Sequence, residues 1–357
     1  MKTRKKSNGR EMPPSGRQRF RHGAVMTPLT VLVLIISFFA VYFASKRTDS
    51  RRQTRTSFVM GTALTQTVYS ESAGHSLDII TRIEAQSREW DNRLSWRIED
   101  SETAQINAAA GEEIGLDSRI DSGLYRQFYS RKLFQELSAL FEYTNGAFDL
   151  TVLPLSRLWN VESDNPRVPS AEEIAAAKAL VGYNKVLSYS DALFLPEKGM
   201  GLDLGAAGKG AVLDGANEIL LAEEAVSMSQ KNTVGAVVSC GGSILVYGEN
   251  NGDPWKIGIR HPRNPGELLG DMEIGKTVCV STSGDYEKYF IKNGVRYHHI
   301  IDAATGYPAQ SGLISVTVIV PAQTYVPGAA YTPDSPGAMS DALSTACFIL
   351  GKEKSLR

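Results

Sequence analysis

Met200-Gly-Leu-Asp-Leu-Gly-Ala-Ala-Gly-Lys-Gly-Ala-Val-Leu-Asp214 is the most informative stretch of this chain. It reads as a short apolar strand over 201–204 carrying one acid, Asp203, then a turn of small residues, then a helix opening at Lys209. Small residues let backbone N–H groups approach a ligand closely, and a helix N-terminus favours anions. Lys209 adds a full positive charge. The pattern predicts a cradle for a phosphate-bearing ligand; a tight strand-to-helix turn without a ligand meets it as well. Two familiar phosphate motifs are absent. A P-loop needs Ser or Thr after Gly-Lys, and here Gly210 follows, with Asp203 where the first glycine belongs. A dinucleotide fingerprint from Gly208-x-Gly210 needs a third glycine, and Leu213 stands there.

Working outward, short strands dominate the second half, at 185–189, 193–195, 235–239, 244–249, 255–260, 277–281, 286–291, 296–301 and 315–319, with helices at 209–225 and 340–350. The first half reads as one strand over 57–69, with Met60-Gly-Thr62 inside it, and then helices at 77–94, 101–109, 121–143 and 171–181. Helices first and mixed strands later predict an α+β (mixed α/β) fold rather than a regular βαβ series. Residues 325–337, rich in proline, glycine and alanine, read as an exposed loop.

The first 56 residues differ from the rest. Residues 1–23 form a basic segment with eight Lys or Arg, and 24–44 carry no charge. At about 1.5 Å per residue that stretch crosses a hydrocarbon core of roughly 30 Å. It exceeds the secretory h-region of about 7–15 residues, so it reads as a retained signal-anchor. The basic bias places the N-terminus inside and the main domain outside the cytoplasm, at the inner membrane. Residues 45–56 read as a linker, and 57–357 as the domain, with a short C-terminus. The net charge is −1, and no basic patch with interleaved aromatics points to nucleic acid. Cys240, Cys279 and Cys347 form no Cys-x-x-Cys, so neither a disulfide scaffold nor structural zinc is indicated.

Four further segments carry candidate chemistry. In Ser340-Asp341-Ala-Leu-Ser-Thr345 the acid and the threonine are four apart and share a helix face. Their oxygens suit Mg²⁺ or Ca²⁺, though a helix cap at Ser340 or Asp341 explains them too. Val280-Ser-Thr-Ser-Gly-Asp-Tyr286 is a hydroxyl-rich turn that binds phosphate or merely makes a hairpin. His298 and His299 point to opposite faces of a strand, so at most one faces a site. Gly146-Ala-Phe-Asp149, followed by Pro154-Leu155 and Trp159, offers an aromatic and a carboxylate to a heteroaromatic ring, or a buried Phe148 and a turn-forming Asp149. Trp96 and Trp159 read equally as core or pocket.

In this order the segments resemble the FAD:protein FMN transferase (ApbE) family. The match runs through Met60-Gly-Thr62, Leu94-Ser-Trp96, Gly146-Ala-Phe-Asp149, Asp203-Leu-Gly-Ala-Ala-Gly-Lys-Gly210, Gly241-Gly242, Thr282-Ser-Gly-Asp-Tyr286, His299-Ile-Ile-Asp302 and Asp341-Ala-Leu-Ser-Thr345. The resemblance implies a T-fold-like flavin transferase domain behind a single transmembrane helix. It implies Mg²⁺-dependent transfer of FMN from FAD to a threonine hydroxyl of a redox protein, with release of AMP. The acceptor would carry an Asp-x-x-Ser/Thr-Gly/Ser-Ala-Thr run.

By the same resemblance Met60, Trp96, Ala147, Phe148, Asp149, Asp203, Lys209 and Val280 would contact FAD. The backbone carbonyl of Ala206 and the side chains of Asp341 and Thr345 would hold Mg²⁺, with His299 and Asp341 at the reacting phosphate. His299, Asp341 and Asp302 all remain candidates to take the hydroxyl proton. Hydrolysis of FAD to FMN and AMP, and FAD storage without chemistry, are the rival readings. Ala303 and Ala304 depart from the proline and arginine common in the family, and Ser239 and Ser243 depart from its asparagine and its acidic or amide residue.

Overall fold

The computed structural model describes residues 51–112, 131–189, 192–227, 234–322 and 334–356. The expected span at 24–44 and most of the expected loop at 325–337 lie outside them. Among the described residues no helix is long and apolar enough to cross a membrane.

Strands β1 (Arg52–Val59) and β2 (Thr62–Tyr69) form an antiparallel hairpin, not the single strand expected over 57–69. Met60 and Gly61 both take positive φ, 52° and 67°, the two-residue turn whose twist suits a hairpin. β1 also begins inside the stretch expected as linker, because Arg52 pairs with Tyr69.

Helix α1 (Ala73–Leu94) is capped by Ser72 and buries Ile79, Ile80 and Ile83 along one face. Each such burial stabilises by roughly 2 kcal/mol. α2 (Glu102–Ala108) is capped by Ser101, whose Oγ accepts from Ala104 N at 2.9 Å. α3 (Arg131–Tyr143) is the described part of the helix expected over 121–143, and it stops where Asn145 and Gly146 turn left-handed. α4 (Leu153–Trp159) and α5 (Ala171–Ala179) follow, the latter closed by a Ser170–Glu173 capping box. β3 (Leu187–Tyr189) and β4 (Ala192–Phe194) make a small hairpin.

Residues 201–204, expected as a strand, pair with no strand. Side chains satisfy that backbone instead. Asn107 Nδ2 donates to Leu202 O at 3.0 Å, and its Oδ1 accepts from Leu202 N at 2.6 Å. Asp203 N donates to Leu150 O at 2.7 Å. The chain then turns into α6 (Gly208–Ser227).

Beyond α6 lie β5 (Gly235–Cys240), β6 (Ser243–Tyr247), the hairpin of β7 (Trp255–Arg260) and β8 (Leu268–Ile274), and β9 (Val278–Gly284). A second hairpin joins β10 (Tyr289–Lys292) to β11 (Val295–His298), and β12 (Ile301–Asp302) pairs β13 (Tyr307–Pro308). The strand expected over 296–301 is thus divided after His298, and His299 N donates to Lys288 O at 3.1 Å as the next rung of the β10–β11 register. β14 (Ser315–Pro321), α7 (Pro336–Leu350) and α8 (Lys352–Ser355) complete the order. α7 starts at Pro336, inside the expected loop and ahead of the helix expected at 340.

The main sheet has six antiparallel strands in the order β1-β2-β5-β6-β9-β14. The observed architecture is therefore α+β, as the order of elements predicts. One sheet face, with Leu64, Val68, Val238 and Leu245, packs on Ile79, Ile80 and Ile83 of α1 and on Val212, Leu213 and Leu220 of α6. The other face, through Val246, Val278 and Val280, is covered by Trp255 and Ile257. A second core joins Leu94, Leu137, Phe148, Leu202 and Leu204 to Ala338, Ala342 and Ala346 of α7. All three cysteines are free.

Candidate active site

The site begins where α6 crosses α7. A Cβ on Gly210 would lie 2.1 Å from Gly337 O, and one on Gly337 would lie 2.3 Å from Gly210 O. Only two facing glycines let the helix backbones meet so closely. Asp214 of α6 then accepts from Gly337 N at 2.6 Å and Ala338 N at 2.9 Å, capping α7 from a neighbouring helix. Burial pushes the Asp214 carboxyl well above the usual range, against the pull of those two N–H groups.

This crossing delivers Asp341 to the N-terminus of α6. Its Oδ2 accepts from Gly210 N at 3.2 Å and lies 3.2 Å from Lys209 Nζ. Its Oδ1 accepts from Ser243 Oγ at 3.1 Å. Because α7 starts at Pro336, neither Ser340 nor Asp341 caps it, and Asp341 is only 3% exposed. Thr345 does not bond back to its own turn; its Oγ1 lies 3.1 Å from Ser283 Oγ. Ser283 also meets Ser344 at 2.7 Å, and Ser281 meets Ser340 at 2.7 Å. A seam of hydroxyls therefore joins β9 to α7 directly behind the acid.

Lys209 Nζ also donates to Gly205 O at 2.8 Å, so an ammonium bridges a turn carbonyl and the Asp341 carboxylate. That place accommodates positive charge. Ala206 follows Gly205 in the turn, and Thr345 lies one helical turn beyond Asp341, so the donors are hard oxygens of the kind Mg²⁺ takes. Among the described residues no group of three or more His, Cys, Asp or Glu could hold a metal. The set fits an ion that completes its shell with water or substrate phosphate oxygens.

Met60 roofs the same helix end. A Cβ on Gly208 would meet Met60 Cε at 2.3 Å. Met60 N donates to Asp91 Oδ2 at 2.8 Å, which holds the left-handed residue in place. Asp203 stands at the turn's entrance, half-buried, its Oδ1 accepting from Gly205 N at 2.9 Å. Met60, Asp203, Ala206, Lys209 and Asp341 are thus gathered around one helix terminus, with Thr345 one turn further along α7.

Other expected contacts are placed differently. The Phe148 ring is buried in the second core, beside Leu94 and Leu202. Asp149 accepts from Thr151 N, Thr151 Oγ1 and Tyr183 N, as a turn-forming carboxylate; burial raises its pKa against those bonds. Val280 points away from α7. Its neighbour Ser281 faces that helix, so alternation sends the Val280 side chain into the cluster with Trp255 and Ile257. The Phe148 and Val280 side chains thus lie in two separate core clusters. Ala147, next to Phe148 in the chain, is half-buried.

Trp159 is core, its Nε1 donating to Gly306 O at 2.8 Å. Trp96 is half-buried. The Arg97 and Arg157 guanidinium carbons lie 4.3 Å and 5.1 Å from its ring centre, and its buried Nε1–H has no hydrogen-bond partner among the described residues. The histidines do face opposite ways. His298 is buried, its Nε2 donating to Ala309 O at 3.0 Å, and burial lowers its pKa. His299 is exposed at the surface; its Nδ1 lies 3.2 Å from Lys288 O, an acceptor, so Nδ1 carries the proton and Nε2 the lone pair. Surrounding protein atoms, then the charges of Lys288 and Lys209, hold its pKa down at about 4, so the ring is neutral at pH 7.

Ser243, Ser281 and Ser283 are the site residues that motif reading passes over as ligand-orienting groups. A signal for two of them existed: serines two apart on a strand, matched by Ser340 and Ser344 four apart on a helix.

The ApbE family model matches residues 60–357. The FAD:protein FMN transferase of Treponema pallidum (strain Nichols) is 30% identical over 344 residues, covering 90% of this chain and 85% of that protein. That of Haemophilus influenzae is 30% identical over 284 residues, covering 77% of this chain and 73% of that protein. Among solved structures, the ApbE protein of Thermotoga maritima superposes with a TM-score of 0.69 at 31% identity, covering 85% of this chain and 88% of the other. The flavin transferase ApbE from Vibrio cholerae gives 0.63 at 25% identity, covering 85% and 89%.

Proposed function

The chain belongs to the ApbE family, and from that premise we propose that it transfers FMN from FAD to a threonine hydroxyl of a redox protein, releasing AMP. The observation that carries the reading is the Lys209–Asp341 contact at the N-terminus of α6, where a pyrophosphate has both a cation and the positive end of a helix to meet. The threonine oxygen forms a bond to the phosphorus on the FMN side. The bond from that phosphorus to the AMP oxygen breaks, and the hydroxyl proton leaves to a base. Ala206, Asp341 and Thr345 would hold Mg²⁺, which when bound neutralises charge building on the pyrophosphate.

Lys209 and the positive end of α6 bind and orient the phosphates. Among the three candidate bases, His299 is favoured. Asp341 is already engaged by Lys209, Gly210 and Ser243, and Asp302 Oδ1 accepts from Ala304 N within its own turn. His299, its Nδ1–H committed to the Lys288 carbonyl, offers the Nε2 lone pair. Met60 shields one side of the helix end from water.

Full-length protein mixed with FAD, MgCl₂ and an acceptor carrying the Asp-x-x-Ser/Thr-Gly/Ser-Ala-Thr run tests this. Intact mass of the acceptor should rise by one FMN, mapped to the threonine. No adduct on any acceptor of that type refutes transfer. Residues 24–44 are read as a single-pass anchor that keeps the domain extracytoplasmic. Membrane fractionation with protease protection tests that, and recovery in the soluble fraction contradicts it.

A further inference from the structure

Glu162 follows α4 and touches two distant parts of the chain. Its Oε2 accepts from Lys288 Nζ at 2.8 Å, and its Oε1 lies 3.5 Å from Arg97 NH2. Arg97 is the cation lying over Trp96. Lys288 is the residue whose carbonyl receives both His299 N, at 3.1 Å, and His299 Nδ1. One carboxylate therefore links the Trp96 turn to the backbone that aims the His299 ring.

These ion pairs are half-exposed, with side-chain exposures of 58% and 41% for Arg97 and Glu162 and 42% for Lys288. Pairs so wet contribute about 0–1 kcal/mol each to stability. Stability does not account for a carboxylate spanning Arg97 and Lys288 at this place. Partial burial raises the Glu162 carboxyl, and the Lys288 hydrogen bond with the charges of Lys288 and Arg97 outweighs it and holds the group ionised. The charges that reach His299 are those of Lys288, Lys209, His298 and Glu162.

We propose that Glu162 is a positioning residue for the transfer, tying the Trp96–Arg97 turn to the Lys288 loop and so fixing where the His299 ring stands. The proposal rests on His299 taking part in the reaction proposed above. Without Glu162 the Lys288 ammonium is released, the loop carrying the Lys288 carbonyl loosens, and Nδ1 loses its fixed acceptor.

The test uses the full chain as Glu162→Gln, Lys288→Gln and the double variant. Glu162→Gln should lower kcat about ten-fold, as a misplaced base does. KM for FAD should stay within about two-fold and the thermal midpoint within about 2 °C, since the lost pairs are wet. The double variant should match the worse single one, because both act through one bridge. In histidine-labelled protein without FAD, the His299 ring resonances of Glu162→Gln should lose their Nδ1–H preference. Unchanged ring signals and rate overturn the proposal. So do additive losses accompanied by a fall of many degrees in midpoint. If wild-type protein makes no adduct, the transfer reading fails, while the resonances still decide whether Glu162 positions His299.

Discussion

Lys209 Nζ stands 3.2 Å from Asp341 Oδ2 while also holding the Gly205 carbonyl at 2.8 Å. A lysine from the start of α6 and an acid from α7 thus meet beside the turn at 205–207. Substrate phosphate gives the ammonium an alternative partner, so the pair is poised for exchange rather than for holding the fold alone.

Asp341→Asn removes the charge but keeps the shape. Lys209 is then left without its counter-charge, and Gly210 N and Ser243 Oγ keep only a neutral partner. Stability should fall by about 2 kcal/mol, the worth of hydrogen bonds to a charged group. AMP release should fall at least about 100-fold. Urea titration and a coupled AMP assay check both. Activity near wild type would remove Asp341 from the site.

The pH dependence follows from His299. Its folded pKa is depressed to about 4 from an ordinary 6.5, and in the proposed reaction the neutral ring is the base. The rate should rise with pH through the folded value and be flat by pH 7. The unfolded chain takes up the proton first, so the ring's contribution to stability is complete above about 6.5 and is lost as pH falls towards about 4. The acid limb of kcat/KM measures this directly. A limb at the ordinary value would show that the ring is not held neutral, and His299→Asn should abolish the limb.

Gly210→Ala places a Cβ 2.1 Å from a backbone oxygen that cannot rotate away. The helices must part, at a cost of about 3 kcal/mol, the upper end of ordinary overpacking. Activity should fall with stability because Asp341 retreats from Lys209. Gly270→Ala, where a Cβ meets nothing within 4 Å, serves as the control and should shift stability by under about 0.5 kcal/mol. Equal effects of the two changes would contradict the crossing.

Met60→Asn separates shape from function. Asparagine accepts positive φ more readily than methionine, so the hairpin should hold within about 1 kcal/mol. The contact over Gly208 is lost, and KM for FAD should rise several-fold, read from initial rates. An unchanged KM would leave Met60 a turn residue only.

Much of this site is legible in the residues themselves. The turn at 205–207, the lysine and the helix after it follow from small residues beside a charge. Asp341 and Thr345 are four apart on a helix face, and that spacing survives. What sequence cannot announce is contact at a distance. The 201–204 segment looks like a strand because it is apolar, but Asn107 satisfies its backbone from another element. Phe148 and Val280 lie inside motifs, yet their side chains are in the core; for Val280 this is because its neighbour Ser281 takes the face towards α7. The Met60–Gly61 turn is hidden because methionine is a poor advertisement for positive φ. Nothing local marks Glu162, whose partners come from two remote loops.

The central claim is that the pyrophosphate is opened by a protein hydroxyl rather than by water. Counting AMP released against FMN attached to the acceptor, in one reaction with full-length protein, FAD and MgCl₂, tests it most directly. Transfer predicts one attached FMN per AMP, with both lost together in Asp341→Asn. AMP accumulating with free FMN and an unmodified acceptor would contradict the account.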